Sequence, residues 1–383
     1  MNAPKRVMIV AGEASGELYG ARLAAEMRRR EPVIRFFGMG GDRMRGEGVE
    51  TLVNADDMAV MGLVEVAAKA RIIFHAYSRL KLILFSEPPA LLVLIDYQEF
   101  NQILARAAKR AGVKVLFFIS PQFWAWRPGR VKKMARIVDH MAVLFPFEVS
   151  AYEQEGVPVT FVGHPLLDIV HPSMERREAQ LFFGLDPSRS TVGLFPGSRR
   201  SEIINLFGEI IGAAKLLNER FPGLQFILPL APSLTRQDLE PLLSTSGVEI
   251  IVVEGQIYDV MQVCDAAITV SGTVTLELAL MGVPMVIIYR VSPFTYYVGK
   301  LLVKIEHMGI CNIMAGERIV PELLQDEVTP EGINREIGRM LTDEAYLTDM
   351  KVKLANVRSL LGSGGCLERV AEVALTMIRS RQL

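Results

Sequence analysis

Short, nearly uninterrupted apolar runs, each leading into a small-residue or polar loop, constrain the fold of this chain more than any other feature. Arg6 to Ala11, Ala90 to Ile95, Thr191 to Phe195 and Ala266 to Val270 read this way. A strand that is apolar at every position expects burial on both faces, which a parallel sheet between helices supplies. Runs at 35–39, 113–119, 138–145, 159–162, 225–230, 249–253 and 284–289 are expected to add further strands. Composition turns charged and helical from Ser173 to Gln180, and the strand, loop, helix pattern then restarts. The expected fold class is α/β, with two Rossmann-like doubly wound domains at 1–170 and 171–345 and a cleft between them as the default site.

Composition removes several alternatives. A chain of 383 residues, half of them hydrophobic, is long enough for two cores. A net charge of -1 gives no footprint for nucleic acid. Cys264, Cys311 and Cys366 are far apart and without CxxC spacing, so neither a zinc site nor a disulfide framework is expected, and a reducing cytoplasm fits. No histidine pair has ligand spacing and no GxSxG elbow occurs, so no metal and no serine nucleophile is expected. The apolar run Val7 to Ala11 is too short for a secretory signal, and no uncharged run approaches the roughly 20 residues of a spanning helix. A mean hydropathy of +0.27 is nevertheless high, which leaves apolar surface for a membrane or an acyl ligand.

The loops that follow the strands hold the candidate chemistry. Leu194 to Ile203, LFPGSRRSEI, reads as a strand end, a Pro-Gly break and a helix start with Ser198 and Glu202 placed as a capping pair. A helix start offers N–H groups and a positive dipole end, and Arg199 and Arg200 add charge, so the segment reads as a phosphate seat, though without P-loop spacing. Ser271, Gly272 and Thr273 form a second such junction, with Glu277 one turn in, aimed at ribose hydroxyls or merely favouring the helix dipole. Asp96 closes a central strand and is a candidate general base, with capping of the next helix as the alternative. Gly12 to Glu17 is expected to be a glycine-rich turn that lets substrate approach the backbone at Gly12, Ser15 and Gly16. It is not GxGxxG, so a dinucleotide is not expected. Trp124 and Trp126, in a Pro- and Gly-flanked loop before Arg127, are read as a rim for sugar or acyl stacking, against the usual role of tryptophan in a core.

Residues 58–85 are apolar with Lys69, Arg71, Arg79 and Lys81 interspersed. On a helix, Val66, Ala70, Ile73, Tyr77, Leu80 and Leu84 form one stripe, expected to pack on a sheet. Ile72 and Phe74 fall about 100° to either side of Ile73, too far for one contact to bury all three. The segment is therefore expected to dock on the cytoplasmic membrane surface and admit acyl chains, with Val66, Ile72, Ile73 and Phe74 as contacts. A helix covered on two sides is the competing reading.

Taken together, AGEASGE at 11–17, VMGLVEV at 60–66, Ile95-Asp96 with Phe100-Asn101, Ser120-Pro121 with WAWR at 124–127, Gly163-His164, PGSR at 196–199, Ser271-Gly272-Thr273, and Asn312 with Ala315-Gly316 resemble the lipid-A-disaccharide synthase family. The resemblance implies a GT-B glycosyltransferase whose last helices, 346–383, cross back to the N-terminal domain. It implies an inverting transfer from UDP-2,3-diacylglucosamine to the 6-hydroxyl of 2,3-diacylglucosamine 1-phosphate (lipid X), with release of UDP and no cofactor. It also implies peripheral association with the inner membrane and leaves a homodimer open. Asp96 matches the family's proposed base, Arg199, with Ser198, its phosphate contact, Ser271 to Glu277 and Asn312 the nucleotide side, and Gly12, Ser15, Gly16, Trp126 and Arg127 the other substrate side. Tyr97-Gln98-Glu99, Arg200 and Cys311 depart from the family pattern. A UDP-N-acetylglucosamine 2-epimerase of the same fold, or an acyl-glucosamine carrier without catalysis, is the alternative.

Overall fold

The computed structural model describes residues 5–55, 62–120, 131–291 and 307–380, and all their side chains except those of 14, 62–69 and 201. The chain divides into two compact units, Met1–Asp168 with Leu361–Leu383, and Ile169–Leu360. The first holds seven parallel strands, β1 (Arg6–Ala11), β2 (Arg35–Gly40), β3 (Glu50–Asn54), β4 (Leu91–Ile95), β5 (Val115–Phe118), β6 (His140–Val143) and β7 (Val159–Phe161), in the order 3-2-1-4-5-6-7. The second holds β8 (Thr191–Phe195), β9 (Gln225–Leu230), β10 (Ile250–Glu254), β11 (Ala266–Val270), β12 (Met285–Tyr289) and β13 (Glu322–Leu324), in the order 10-9-8-11-12-13. Both orders reverse direction once, between β1 and β4 and between β8 and β11. These are the switch points at which an open parallel sheet leaves a crevice at its carboxyl edge.

The central strands behave as their apolar runs require. Val7 to Ala11 and Leu91 to Ile95 are buried throughout, in register from Val7 opposite Leu91 to Ala11 opposite Ile95. Helices cover both faces. Gly62–Ser86 and Gln98–Arg110 pack beside each other, and Leu80, Leu84, Leu104 and Ala108 join Met8, Val10, Leu92 and Leu94 in one core. The stripe on Gly62–Ser86 differs from its expected course. Ala76, Leu80 and Leu84 are its buried line, flanked by Ile73 and Tyr77, whereas Ala70 is exposed.

The end of the chain also differs from expectation. Glu344–Leu360 packs inside the second unit against Thr273–Leu280 and Ile310–Ala315, so the return to the first unit falls at Leu361 rather than at 346. Cys366–Arg379 then lies on Ala14–Arg30 and on β4, burying Val370, Leu375 and Ile378, each worth roughly 1.5–3 kcal/mol. Burial therefore fixes where this helix lies, and a cap fixes where it starts. Asp168 Oδ1 accepts from Gly365 N at 2.6 Å and Oδ2 from Cys366 N at 2.8 Å. Arg369 Nε donates to Val162 O at 2.9 Å, and His164 N donates to Leu361 O. Burial pushes the His164 imidazole down to about 3. The ring is thus neutral at physiological pH, and its Nδ1 accepts from Leu166 N at 3.2 Å.

Asp168→Ala is expected to lower stability by about 1–3 kcal/mol, because two N–H groups at the helix start lose their acceptor. Asp168→Asn should cost less. Denaturant unfolding checks this, and an alanine variant as stable as wild type would show that the carboxylate does not hold the cap.

Candidate functional site

In the first unit the candidate residues meet at the ends of β1 and β4. Asp96 and Tyr97 both take left-handed backbone angles, φ 48° and φ 44°, a cost on the order of 1–3 kcal/mol for each non-glycine residue. Asn101 offsets part of this. Its buried amide donates to Asp96 O at 2.7 Å and to Ile95 O at 3.3 Å, tying the corner to the first turn of Gln98–Arg110. Tyr97, not Asp96, stands at the N-cap position, so the capping alternative for Asp96 falls away. The Asp96 residue is half-buried. Burial first, then the Glu13 carboxylate, push its acid up to about 7, with Glu99 adding to the rise against a backbone N–H bond from Tyr97. Asp96 therefore changes charge near neutrality, which suits a group that must take up a proton.

The loop before it corrects the expectation for Gly12 to Glu17. The helix Ala14–Arg30 starts with Glu13 at its N-cap, so Ser15, half-buried, and Gly16, buried, lie in the first turn rather than in an open loop. A Cβ on Gly12 would lie 2.5 Å from the Tyr97 ring. Its small size makes room for that ring, not for a substrate against the backbone.

In the second unit the loop that the sequence marks as a phosphate seat follows β8. Gly197, at φ 99°, has Glu202 Oε2 2.0 Å from where a Cβ would stand, so no other residue fits there without displacing that carboxylate. Glu202 Oε2 accepts from Ser198 N at 3.0 Å and Arg199 N at 3.2 Å, and Oε1 accepts from Arg199 Nη1 at 3.0 Å. The expected capping pair is thus shifted by one residue: Arg199 is the N-cap and Glu202 reaches back to it, while the Ser198 hydroxyl makes no cap bond. The carboxylate spends the two N–H groups of the loop and pins the arginine beside the start of Arg200–Glu202, through one of the five N–H donors of its guanidinium. Burial raises the Tyr289 phenol at the end of β12, and the opposing influences of Arg199 and Glu202 on it place all three together.

After β11, Gly272 precedes Thr273–Leu280, and a Cβ at Gly272 would meet nothing within 4 Å among the described residues. Thr273 is exposed at the helix start. Ser271 Oγ donates to Met308 O at 2.8 Å. Glu277 is raised by burial and accepts from Tyr258 OH at 3.1 Å. Asn312 does not face a ligand, contrary to expectation. It is 0% exposed; its Nδ2 donates to Val320 O and Glu322 Oε1, and its Oδ1 accepts from Ile319 N and Val320 N. All its hydrogen-bonding capacity goes to shaping 316–322. Glu322, which the sequence reading missed, accepts from Met308 N, Gly309 N and Asn312. Its signal was a lone acidic residue in a short apolar stretch.

Trp126 and Arg127 lie outside the described residues, as does the side chain of Val66. Ile72 and Phe74 are exposed, at 45% and 70%. Ile73 packs against the core and is not a surface contact. Arg79 is exposed, and its Nη1 donates to Leu52 O of β3 at 2.7 Å. No helix among the described residues is long and apolar enough to cross a membrane. No group of acidic, histidine and cysteine side chains among them has the form of a metal site.

A family model described as lipid-A-disaccharide synthetase matches residues 7–374. The lipid-A-disaccharide synthase of Geobacter metallireducens is 62% identical over 378 residues, 99% of this chain and 98% of that one. That of Coxiella burnetii is 46% identical over 376 residues, 98% and 99% of the two chains. Among solved structures, a UDP-GlcNAc 2-epimerase from Neisseria meningitidis, bound to UDP-GlcNAc, superposes with a TM-score of 0.66 at 14% identity over 97% of this chain and all of its own. A calicheamicin glycosyltransferase gives 0.60 at 15% identity over 99% of each. The structural likenesses speak to the fold, two parallel-sheet α/β domains of GT-B type, and the sequence match speaks to descent. By that match the chain belongs to the lipid-A-disaccharide synthetase family, glycosyltransferases of lipid A biosynthesis.

Proposed function

We propose that the enzyme transfers the sugar of UDP-2,3-diacylglucosamine to the 6-hydroxyl of 2,3-diacylglucosamine 1-phosphate with inversion. The Asp96 carboxylate takes the hydroxyl proton while O6 attacks the anomeric carbon from the face opposite the diphosphate. The bond from that carbon to the diphosphate oxygen breaks, and UDP leaves with the electron pair. Charge developing on the leaving group meets the Arg199 guanidinium and the positive end of Thr273–Leu280. The observation that carries this reading is the position of Asp96, at a switch point, on a strained corner, with its acid raised to about 7. The UDP-GlcNAc held by the Neisseria epimerase supports a UDP-sugar on the same framework. UDP release by the purified protein, given both acylated substrates together and each alone, tests it.

The pH dependence has a definite sign. The folded state keeps the Asp96 proton up to about pH 7, whereas the ordinary acid loses it near 3.8. Activity that needs the carboxylate should therefore rise through pH 7 and level off above it. The contribution of this group to stability is full below about pH 4 and is lost as pH rises through 7. Asp96→Asn should lower kcat by about 10²–10⁴-fold and abolish that limb of the profile. It should leave UDP affinity unchanged and be more stable than wild type at pH 8 than at pH 5. An asparagine variant with wild-type kcat sinks the base assignment.

We further propose that Gly62–Ser86 docks on an anionic membrane surface. Phe74, Leu82 and Phe85 are exposed, and at 100° per residue they share the face opposite Ala76, Leu80 and Leu84, together with Arg71. Lys81 stands at its margin, 5.7 Å from the Tyr77 ring. Each cation near a charged leaflet adds about 1 kcal/mol, and a buried phenylalanine at most roughly 1.5–3 kcal/mol, so attachment is reversible. Replacing Phe74, Leu82 and Phe85 together by serine should leave the fold intact and release the protein from anionic vesicles in a sedimentation assay. Wild type that never sediments with such vesicles at low salt removes the proposal.

A further inference from the structure

The helix that leaves the phosphate seat carries a feature that its own packing does not require. Ile203–Phe207 is a π-helical turn between Arg200–Glu202 and Gly208–Arg220, and such turns are rare and concentrate at functional sites. Ile203, Leu206, Phe207 and Ile210 supply the buried face. Ile204 is left 81% exposed. A single exposed isoleucine is ordinary. Gly208, one turn further along the same outer face, is exposed as well, and a Cβ there would meet nothing within 4 Å among the described residues. Its φ of −59° is helical, so no unusual backbone angle calls for glycine. Glycine is the least favourable helix residue after proline, and neither crowding nor geometry inside the described molecule demands it at 208. The turn is also held in place: Arg290 Nη1 donates to Asn205 O at 3.2 Å and to Glu209 Oε1 at 3.0 Å.

We propose that Ile204 and the bare backbone at Gly208 form a track for one acyl chain of the sugar-nucleotide donor, running outward from the phosphate seat. The inference rests on the donor assigned above. The track is continuous with that seat, since Ile204 follows Glu202, which pins Arg199. Gly208 is on the order of 13 Å along the axis from Arg199 at 1.5 Å per residue, within reach of a long acyl group on a sugar whose diphosphate is held at Arg199. One side chain and one stretch of bare backbone make a strip far below the roughly 800 Å² per partner of a stable protein interface. Ile204 would supply the apolar wall, and the missing Cβ at Gly208 the close approach.

The test compares the full chain with Gly208→Ala and Ile204→Ser, using UDP-2,3-diacylglucosamines with long and with short acyl chains and measuring UDP release, UDP affinity, thermal unfolding and oligomeric state. Gly208→Ala should melt at a higher temperature than wild type, yet its KM for the long-chain donor should rise roughly tenfold. Its KM for the short-chain donor and its affinity for UDP should stay as in wild type. Ile204→Ser should shift the same KM in the same direction. An alanine variant that is stabilised with unchanged KM for every donor overturns the proposal. So does an equal loss for long and short donors, which marks a structural lesion, or a changed oligomeric state, which marks a contact between copies. Should Ile204→Ser fail to fold, Gly208→Ala still decides. Wild type that releases no UDP from these substrates overturns the assigned reaction, and the track with it.

Discussion

A parallel sheet buried on both faces has little open polar surface except along its strand ends, and this restriction governs where the protein can place chemistry. β1, β4, β8 and β11 are apolar but for Arg6, Thr191 and Thr269, and all their residues except Arg6 are buried. Polar side chains are therefore pushed to the carboxyl edge, where the strand order reverses and neighbouring loops diverge. Asp96, Gly197 to Arg199, Ser271 to Thr273 and Tyr289 all stand at such ends. The same restriction explains the return of the chain. The first sheet needs cover beside Ala14–Arg30, and Cys366–Arg379 supplies it from the far end of the sequence.

The two edges treat carboxylates in opposite ways. At the first, half-buried Asp96 lies near Glu13 and Glu99, and what it gains from one backbone N–H does not offset what desolvation costs its charged form. The acid stays protonated close to neutrality, ready to change state. At the second, Glu202 accepts two backbone N–H groups and one guanidinium N–H, so its oxygens are taken up by the loop that they shape. One carboxylate is thus poised to move a proton and the other is committed to hold an arginine.

The sequence made the central strands legible because their apolar runs have no competing interpretation, and β1, β8, β9 and β11 begin and end where those runs do. It hid β3 and β13, short edge strands whose Glu50 to Asn54 and Glu322 to Leu324 lack such a run. Glycine and serine at 12–16 read as a turn, yet the helix starts at Ala14, and the small residue at Gly12 leaves room for the Tyr97 ring. The left-handed corner at Asp96 and Tyr97 left no trace, since neither is the glycine that usually marks such angles. Asp96 and Arg199 stood out in the sequence as candidates because a charged residue at or just beyond the end of a buried strand has few structural reasons to be there. Asn312 was misread, since an amide spent wholly on its own backbone looks in sequence like one waiting for a ligand.

That amide belongs to a polar cluster whose purpose is geometric. Glu322 is 5% exposed on an edge strand, and burying a carboxylate is costly unless its oxygens are met by donors. Here they meet Met308 N, Gly309 N and Asn312 Nδ2 at 2.7–2.9 Å. Those bonds hold residues 308–309 against β13, while Ser271 Oγ grips Met308 O from the other side. The hydroxyl that begins the second seat is therefore positioned by a carboxylate two strands away, through a loop that neither residue belongs to. An apolar pair in place of Glu322 and Asn312 would fill the space, but it would leave the N–H groups of 308, 309, 319 and 320 without acceptors. The backbone would then move to find them, and Ser271 would lose its fixed partner. The buried charge is retained because it sets the direction of a loop, which apolar packing, having no direction, does not.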